Sequence, residues 1–579
     1  MTKTNVLTWK IGGEAGGGQQ VAGLIFAKAC TRGGLFTFDS SEYPSRIRGG
    51  LVTYRLSISS KPVTAIYKPT QLLITLTKQA FNYCKPDIVK GGVILYDSDK
   101  FTPDKQALRR TTAYPLPLKT LAKEAGVPAI ASNMIAIGAS TALLKYDLKI
   151  VEKTISEVFL SKGHKVIELN LKAVRMGYEY AQNNLKPEQF PFTLKKSDSK
   201  KKPKILVTAN DTIALGAVAA NCKYFVAYPM TPASSILHNL SAWARRSGMV
   251  VFQPEDEISA IHMTIGGGYA GVRSMTATSG GGFALMNEGF ALGGITETPF
   301  VLVESMRPGP ATGLPTWTGQ TDLAFLCRAG HGEFIRIVLT PGDAVEAFEL
   351  TGTAFNLSEK FQVPVVILLD KHISEGHQSI DPLVNNFEID RGKLLTQAEL
   401  SKIKKYKRYL DLKSGVSPRA IPSQKGGIHI ANSDEHDQYG FSVEGFQADE
   451  AIKQVDKRFR KLPAIQKALP KPKMYGPKKA KLTLMGWGST KGPVLEALKE
   501  LPHVNYLHVT AAWPLSEDTM KRAVVGVKKL VAIENNATAQ FAQLLRGQTG
   551  IQVDKKLLKY DGQQFFPEGI ISSVKRLIK

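Results

Sequence analysis

A chain of 579 residues is too long for one hydrophobic core and predicts three or four domains. Its composition, 43% hydrophobic and 22% charged, is that of a globular protein, and no apolar run approaches the ~18 residues needed to span a bilayer, so no membrane association is expected. Lys and Arg number 75 against 50 Asp and Glu, a net charge of +25, yet they form no basic arm with interleaved aromatics; nucleic acid is set aside in favour of anionic substrates or an acidic partner protein.

The N-terminus lacks the apolar core of a signal peptide, and a cytoplasmic protein is expected. NVLTWKIGGEAGGGQQVAGLIFAKAC then predicts strand, glycine loop, helix. In that loop Gly16, Gly17 and Gly18 offer backbone amides to a phosphate, or form a tight turn at a subunit contact. The spacing is looser than a dinucleotide-binding fingerprint. Strand, turn, strand follow in LFTFDSSEYPSRIRGGLVTYRLSIS, and α/β alternation carries a first domain to about residue 190. Residues 191–204, with the run KKSDSKKKPK, read as a lysine-rich linker.

A second domain, 205–390, opens with KILVTANDTIALG and alternates strand and helix, which argues for a parallel sheet covered on both faces. Within it AYPMTPASS, 227–235, marks a strand-to-helix junction. Thr231 followed by Pro232 reads as an N-cap with proline at the first helical position, aiming amides and a hydroxyl at a point where an anion could sit. In PEDEISAI, Pro254 suits a helix start and Glu255, Asp256 and Glu257 suit its first turn. Glu257 also heads a stripe of Ile261 and Gly268, with Ile258 and Ile265 beside it. A carboxyl group there would be partly buried, with a raised pKa suited to proton exchange with a heterocycle. Gly266, Gly267, Gly268 and Gly271 permit close approach of another backbone. SMRPGPATGLPTWTGQTDL, 305–323, predicts a rigid binding loop anchored by Arg307 and Gln320, with Arg307 able to clamp a carboxylate.

Residues 391–478 are more polar and connect to a third α/β block, 479–579, which starts with KLTLMGWGSTKG. GWGSTKG lacks P-loop spacing and reads as a turn. SDEHDQYG has one His among acids and reads as a polar loop; no metal site is expected on this chain. Cys30, Cys84, Cys222 and Cys327 are far apart and suit neither a disulfide framework nor an iron–sulfur cluster.

Taken together, GGEAGGGQQ, YPSRIRGG, NMIAIGA, AYPMTPASS, QPEDEISAI, MTATSGGGFALMNEG, RPGPATGLPT, GVSPRAIP, SDEHDQYG, GWGSTKG and ENNATAQ occur in one order along nearly the whole chain. In this the chain resembles the 2-oxoacid:ferredoxin oxidoreductases, and more closely an α subunit with a γ domain fused at its N-terminus. The resemblance implies a multi-domain α/β fold: a γ-type domain, a thiamine-diphosphate pyrimidine-binding domain and a C-terminal transketolase-C-like domain. It implies coenzyme A-dependent oxidative decarboxylation of a 2-oxoacid, 2-oxoglutarate by overall likeness, with electrons passed to ferredoxin. The cofactor would be shared with a separate β subunit that carries Mg²⁺ and a [4Fe-4S] cluster, in an αβ or (αβ)₂ assembly.

The same resemblance implies roles for named residues. Tyr228, Pro229, Thr231 and Glu257 would contact thiamine diphosphate, Glu257 through its pyrimidine. Thr231 and Arg307 would meet the oxoacid, Arg307 at its carboxylate. The Gly16–Gly18 loop would meet coenzyme A or another subunit. Trp317, Gly319 and Ala539 depart from the family pattern. Pyruvate or a branched-chain oxoacid as substrate, a regulatory subunit without catalysis, and a nicotinamide dehydrogenase are the competing readings. The last leaves residues 205–340 unexplained.

Overall fold

A computed structural model describes residues 3–45, 49–108, 111–197 and 203–578. Residues 46–48 of the YPSRIRGG motif and 198–202 of the lysine-rich stretch lie outside the described residues. The chain is a multi-domain α/β protein of two compact units: Met1–Thr208 with Glu375–Leu383 and Phe566–Ser572, and Ala209–Ser374 with Val384–Phe565 and Ser573–Lys579. Among the described residues no single helix is long and apolar enough to cross a membrane.

The first unit holds an eight-stranded sheet in the order Thr112–Leu116, Ile88–Asp97, Thr70–Thr75, Val6–Glu14, Leu51–Ser59, Phe36–Glu42, Gln378–Ile380, Ile205–Val207. Pairing is parallel as far as Val6–Glu14 and antiparallel beyond it. The seven central residues of Val6–Glu14 are all buried, as a strand covered on both faces requires. Trp9 packs its ring 5.2 Å from that of Phe26 on the helix Gln19–Arg32 and donates its indole N–H to Ser140 Oγ at 3.2 Å. The helices Ser132–Leu143 and His164–Asn184 meet backbone to backbone. A Cβ on Gly138 would lie 1.9 Å from the Val174 carbonyl oxygen, and one on Gly177 1.9 Å from that of Ile135. Ile205–Val207, which the sequence assigns to the second domain, instead pairs antiparallel with Gln378–Ile380 at the edge of this sheet. Three residues are too few for side-chain alternation to specify a neighbour.

The second unit has two sheets. Seven strands run in the order Val250–Phe252, Tyr224–Val226, Ser274–Thr278, Phe300–Met306, Pro364–Asp370, Ile337–Leu339, Ala511–Trp513. All neighbours are parallel except the last pair. Five more run Lys473–Tyr475, Val504–Val509, Leu482–Trp487, Leu530–Glu534, Lys555–Leu558. Thus Ala511–Trp513, from the C-terminal block, completes the seven-stranded sheet.

Single buried carboxylates gather the basic residues of the polar connecting stretch. Glu297 accepts from Lys457 and Lys461, all three side chains being buried, and Arg408 donates to the Glu297 carbonyl at 2.8 Å. Glu359 accepts from Arg273 at 2.9 Å and pairs with Arg419 of the GVSPRAIP motif at 3.3 Å. The lysine of GWGSTKG is used the same way: Lys491 bonds Asp343 and Glu346, and His508 Nε2 lies 3.0 Å from Glu346. Burial alone would raise the Glu346 pKa, but His508 and Lys491 hold it down at about 2. Removing the cation leaves two carboxylates in a largely buried site. Lys491→Met is therefore expected to destabilise the second unit by about 3–5 kcal/mol, read as an earlier denaturant midpoint of the full chain. An unchanged midpoint would show that the cluster contributes nothing.

Candidate functional site

Four neighbouring parallel strands of the seven-stranded sheet end on one edge, the usual ligand side of such a sheet. Past Phe252 comes Glu257, past Val226 comes Thr231, past Thr278 come Gly280–Gly282, and past Met306 comes Arg307.

The 227–233 segment is a turn rather than a helix start. Ala233 N–H donates to Met230 O at 2.8 Å around the cis Thr231–Pro232 peptide, as in a turn with proline third. The helix begins only at Ser234, capped by Ala233 without a side-chain bond, so Thr231 is not its N-cap. Asn210 holds the turn through the Pro232 carbonyl at 2.8 Å, and Arg307 donates to the Thr231 carbonyl at 3.0 Å. Met230 reaches the next strand end. Its sulfur accepts from Thr278 Oγ1 at 3.9 Å, and its methyl lies 3.6 Å from where a Cβ on Gly281 would be. Tyr228 and Pro229 are exposed at the rim.

The helix Glu257–Tyr269 starts two residues later than the position of Glu255 suggests. Asp256 is its N-cap, accepting from Ser259 N–H at 2.8 Å, and Pro254 and Glu255 precede it. Glu257 is 4% exposed, beside Ala260, Ile261, Thr264 and Ile265. Ile258 faces out, 47% exposed, because the positions three, four, seven and eight beyond Glu257 share its face and the next one does not. Gly268 meets the Pro299 carbonyl, 2.4 Å from where its Cβ would be, whereas Gly266 faces open space.

Glu257 Oε1 is buried and accepts no hydrogen bond from the described residues. Burial raises the carboxyl pKa, the Asp256 charge adds to this, and its own backbone opposes it. Opposite stands Gly282, where a Cβ would lie 2.1 Å from Thr278 Oγ1 and 2.5 Å from Glu257 Oε1. Ser279 Oγ is likewise buried without a partner. A carboxyl with one free oxygen, one unpartnered hydroxyl among the described residues and a side-chain-free cradle suits a ligand with its own ring nitrogens. Gly280–Gly282, Thr278 and Met230 were not singled out in the sequence as site residues, although the run SGGG carried the signal.

The 305–323 loop is anchored as its sequence suggests. Gln320 is buried, accepts from Asn535 N–H at 2.8 Å and donates to Trp487 O at 2.9 Å, and Asn536 donates to its carbonyl at 3.0 Å. The 305–323 loop, GWGSTKG and ENNATAQ therefore converge on one residue, Gln320. Ala539, at a position where the family favours glycine, has φ of 57°, the left-handed region in which glycine is least strained.

In the first unit Gly16 and Gly17 line a cavity of about 360 Å³, with Glu14, Asp97, Lys100 and Asn133. Gly16 and Gly18 have positive φ. The Gly17 N–H is committed to Glu14 O at 3.1 Å, and Asn133 donates to Gly17 O, so this loop does not offer three free amides to one anion.

Against known proteins, the family described as pyruvate flavodoxin/ferredoxin oxidoreductase, thiamine diphosphate-binding, matches residues 215–457. The family described as pyruvate ferredoxin/flavodoxin oxidoreductase matches residues 8–180. The chain is similar to subunit alpha of 2-oxoacid:ferredoxin oxidoreductase 2 of Aeropyrum pernix, 31% identical over 98% of this chain and 97% of that protein. It is similar, at 27% identity over 97% of this chain and 90% of that protein, to the 2-oxoglutarate oxidoreductase subunit KorA of Mycobacterium tuberculosis. Among solved structures, 2-oxoglutarate:ferredoxin oxidoreductase from Magnetococcus marinus, with 2-oxoglutarate, coenzyme A and succinyl-CoA bound, matches with a TM-score of 0.91 and 30% identity over 99% of this chain and 100% of that one. This chain belongs to the α subunits of the 2-oxoacid:ferredoxin oxidoreductases.

Proposed function

We propose that this chain is the α subunit, with a γ-type domain at its N-terminus, of an enzyme that converts 2-oxoglutarate and coenzyme A to succinyl-CoA and CO₂ with reduction of ferredoxin, acting with a β subunit. The observation that carries it is the buried, unpartnered Glu257 oxygen at the meeting of four strand ends, in a segment matched by the thiamine diphosphate-binding family. Likeness to proteins named for 2-oxoglutarate supports that substrate over pyruvate.

Glu257, with Thr231, Tyr228 and Pro229, would hold thiamine diphosphate from its pyrimidine side. When bound, the cofactor supplies the nucleophilic carbon that decarboxylation of a 2-oxoacid requires. Burial raises the Glu257 carboxyl pKa, which favours its protonated form and suits it to exchange a proton with a ring nitrogen. Arg307 has one N–H on Thr231 O and the rest of its fork available for the oxoacid carboxylate. Gly282 gives the ligand access to Glu257 by having no side chain.

Two features support a β subunit that carries the diphosphate, Mg²⁺ and cluster sites. The four thiols are buried in four different hydrophobic clusters and cannot converge on a metal cluster. The elements of the site also expose apolar side chains, Tyr228, Phe252, Ile258 and Leu285, the composition of a surface that a partner covers. The cavity beside Gly16 and Gly17 is the proposed contact for coenzyme A or another subunit.

The reading is tested by co-expressing the chain with its β subunit and following viologen reduction with thiamine diphosphate, coenzyme A and a panel of 2-oxoacids. Activity that requires both chains and both small molecules, greatest with 2-oxoglutarate, is expected; a preference for pyruvate would overturn the substrate assignment. Glu257→Gln should lower kcat by about 10²–10⁴-fold with an unchanged melt, and retained turnover would remove Glu257 from the chemistry. Arg307→Met should raise the oxoacid KM by about 10–100-fold; an unchanged KM would mean that the carboxylate binds elsewhere.

A further inference from the structure

Beneath Arg307 lies a second pair of acids that the proposed chemistry does not use. Glu304 sits on the central strand Phe300–Met306 with 0% exposure. Neither of its oxygens accepts a hydrogen bond from any donor among the described residues. Its strand neighbours in register are Thr278 and Leu368, neither of them charged. Asp322, at the start of the helix Leu323–Arg328, donates its N–H to Met306 Sδ at 3.5 Å, two residues along the strand from Glu304, and packs against the glycine turn so closely that a Cβ on Gly280 would lie 2.4 Å from its Oδ2. Its Oδ1 faces the Thr321 hydroxyl at 3.2 Å, and that hydroxyl also lies 3.2 Å from the Arg307 carbonyl oxygen. Arg307 is a charged neighbour of Asp322, and Glu257 stands beside Gly282, two residues along the turn from Gly280.

We propose that Glu304 and Asp322 share one proton as a carboxyl–carboxylate pair, serve as the counter-charge of Arg307 in the empty site, and take up a second proton from solvent when the substrate carboxylate arrives. An isolated buried carboxylate without a donor is not sustained, and two neighbouring carboxyls, one buried and one partly buried, do not both ionise, so a proton stays between them. Burial, with the Asp322 charge, pushes Glu304 far above the carboxylate range. Burial raises Asp322 to about 6 against the hydrogen bonds of Thr321 and Glu304 and the charge of Arg307. At neutral pH the pair then carries one negative charge, which competes with an anionic substrate for Arg307. Substrate binding favours the fully protonated pair, so linkage requires the oxoacid KM to fall as pH falls through about 6.

This inference rests on the assignment of Arg307 to the substrate carboxylate, and one readout is independent of that assignment. Infrared spectra of the full chain at mildly alkaline pH should contain a protonated-carboxyl band that Glu304→Gln removes; identical spectra would overturn the shared proton. In the assembled enzyme Asp322→Asn should lower KM at neutral pH by up to about tenfold and flatten its pH dependence, with a smaller effect on kcat. Glu304→Gln, which donates to Asp322, should move the dependence to lower pH. A loss of activity at every pH with the wild-type profile retained would mark both residues as structural and overturn the linkage. If Arg307→Met leaves KM unchanged while the infrared band is present, the substrate assignment fails and the proton pair stands.

Discussion

Parallel pairing of four adjacent strands is the constraint on which the site depends. Because Val250–Phe252, Tyr224–Val226, Ser274–Thr278 and Phe300–Met306 all point the same way, their carboxyl ends share an edge. Each loop that leaves that edge contributes one chemically different part: a buried acid, a rigid carbonyl-presenting turn, a stretch of bare backbone and a guanidinium. No long-range folding of a loop is needed to bring Glu257 near Gly282 or Arg307 near Thr231. The sheet sets both distances, and the short loops inherit them.

Burial and neighbouring charge then set the direction in which each carboxyl's pKa moves. Glu257 follows one strand of this sheet and Glu304 lies on another, yet they meet different surroundings. Glu257 faces a cradle that a ligand can fill. Glu304 faces only another acid. The carboxylates kept ionised elsewhere in this unit, Glu297 and Glu346, are surrounded by lysine, histidine or arginine side chains. Part of the chain's large basic excess is therefore internal, used to neutralise buried acids, and is not a surface field.

Much of this was legible in the sequence. PEDEISAI marks a capped helix with an acid on its apolar face, and Arg307 and Gln320 stand out in a loop with little else to hold it. The boundaries were less legible. Thr231–Pro232 has the composition of a helix N-terminus, and only the backbone reveals that the turn closes before the helix opens. Ile258 looks like a neighbour of Glu257 in sequence but lies on the solvent side, because a helix rotates ~100° per residue. Glu304 and Asp322 were invisible as a pair, since the 17 residues between them are mostly irregular loop and tertiary packing alone brings them together. The three-residue strands 205–207, 378–380 and 511–513 carry too little pattern to name their partners.

The strand Ala511–Trp513 has a further consequence. It caps the seven-stranded sheet at Ile337–Leu339, whose three residues are fully buried. A chain cut at the apparent boundary near 478 would lose that cap and present a bare, apolar row of backbone donors and acceptors, a template for intermolecular pairing. The two sheets are thus coupled in folding as well as in space. The C-terminal segment covers an edge of the sheet that bears the site, so the second unit is expected to fold and unfold as one cooperative body.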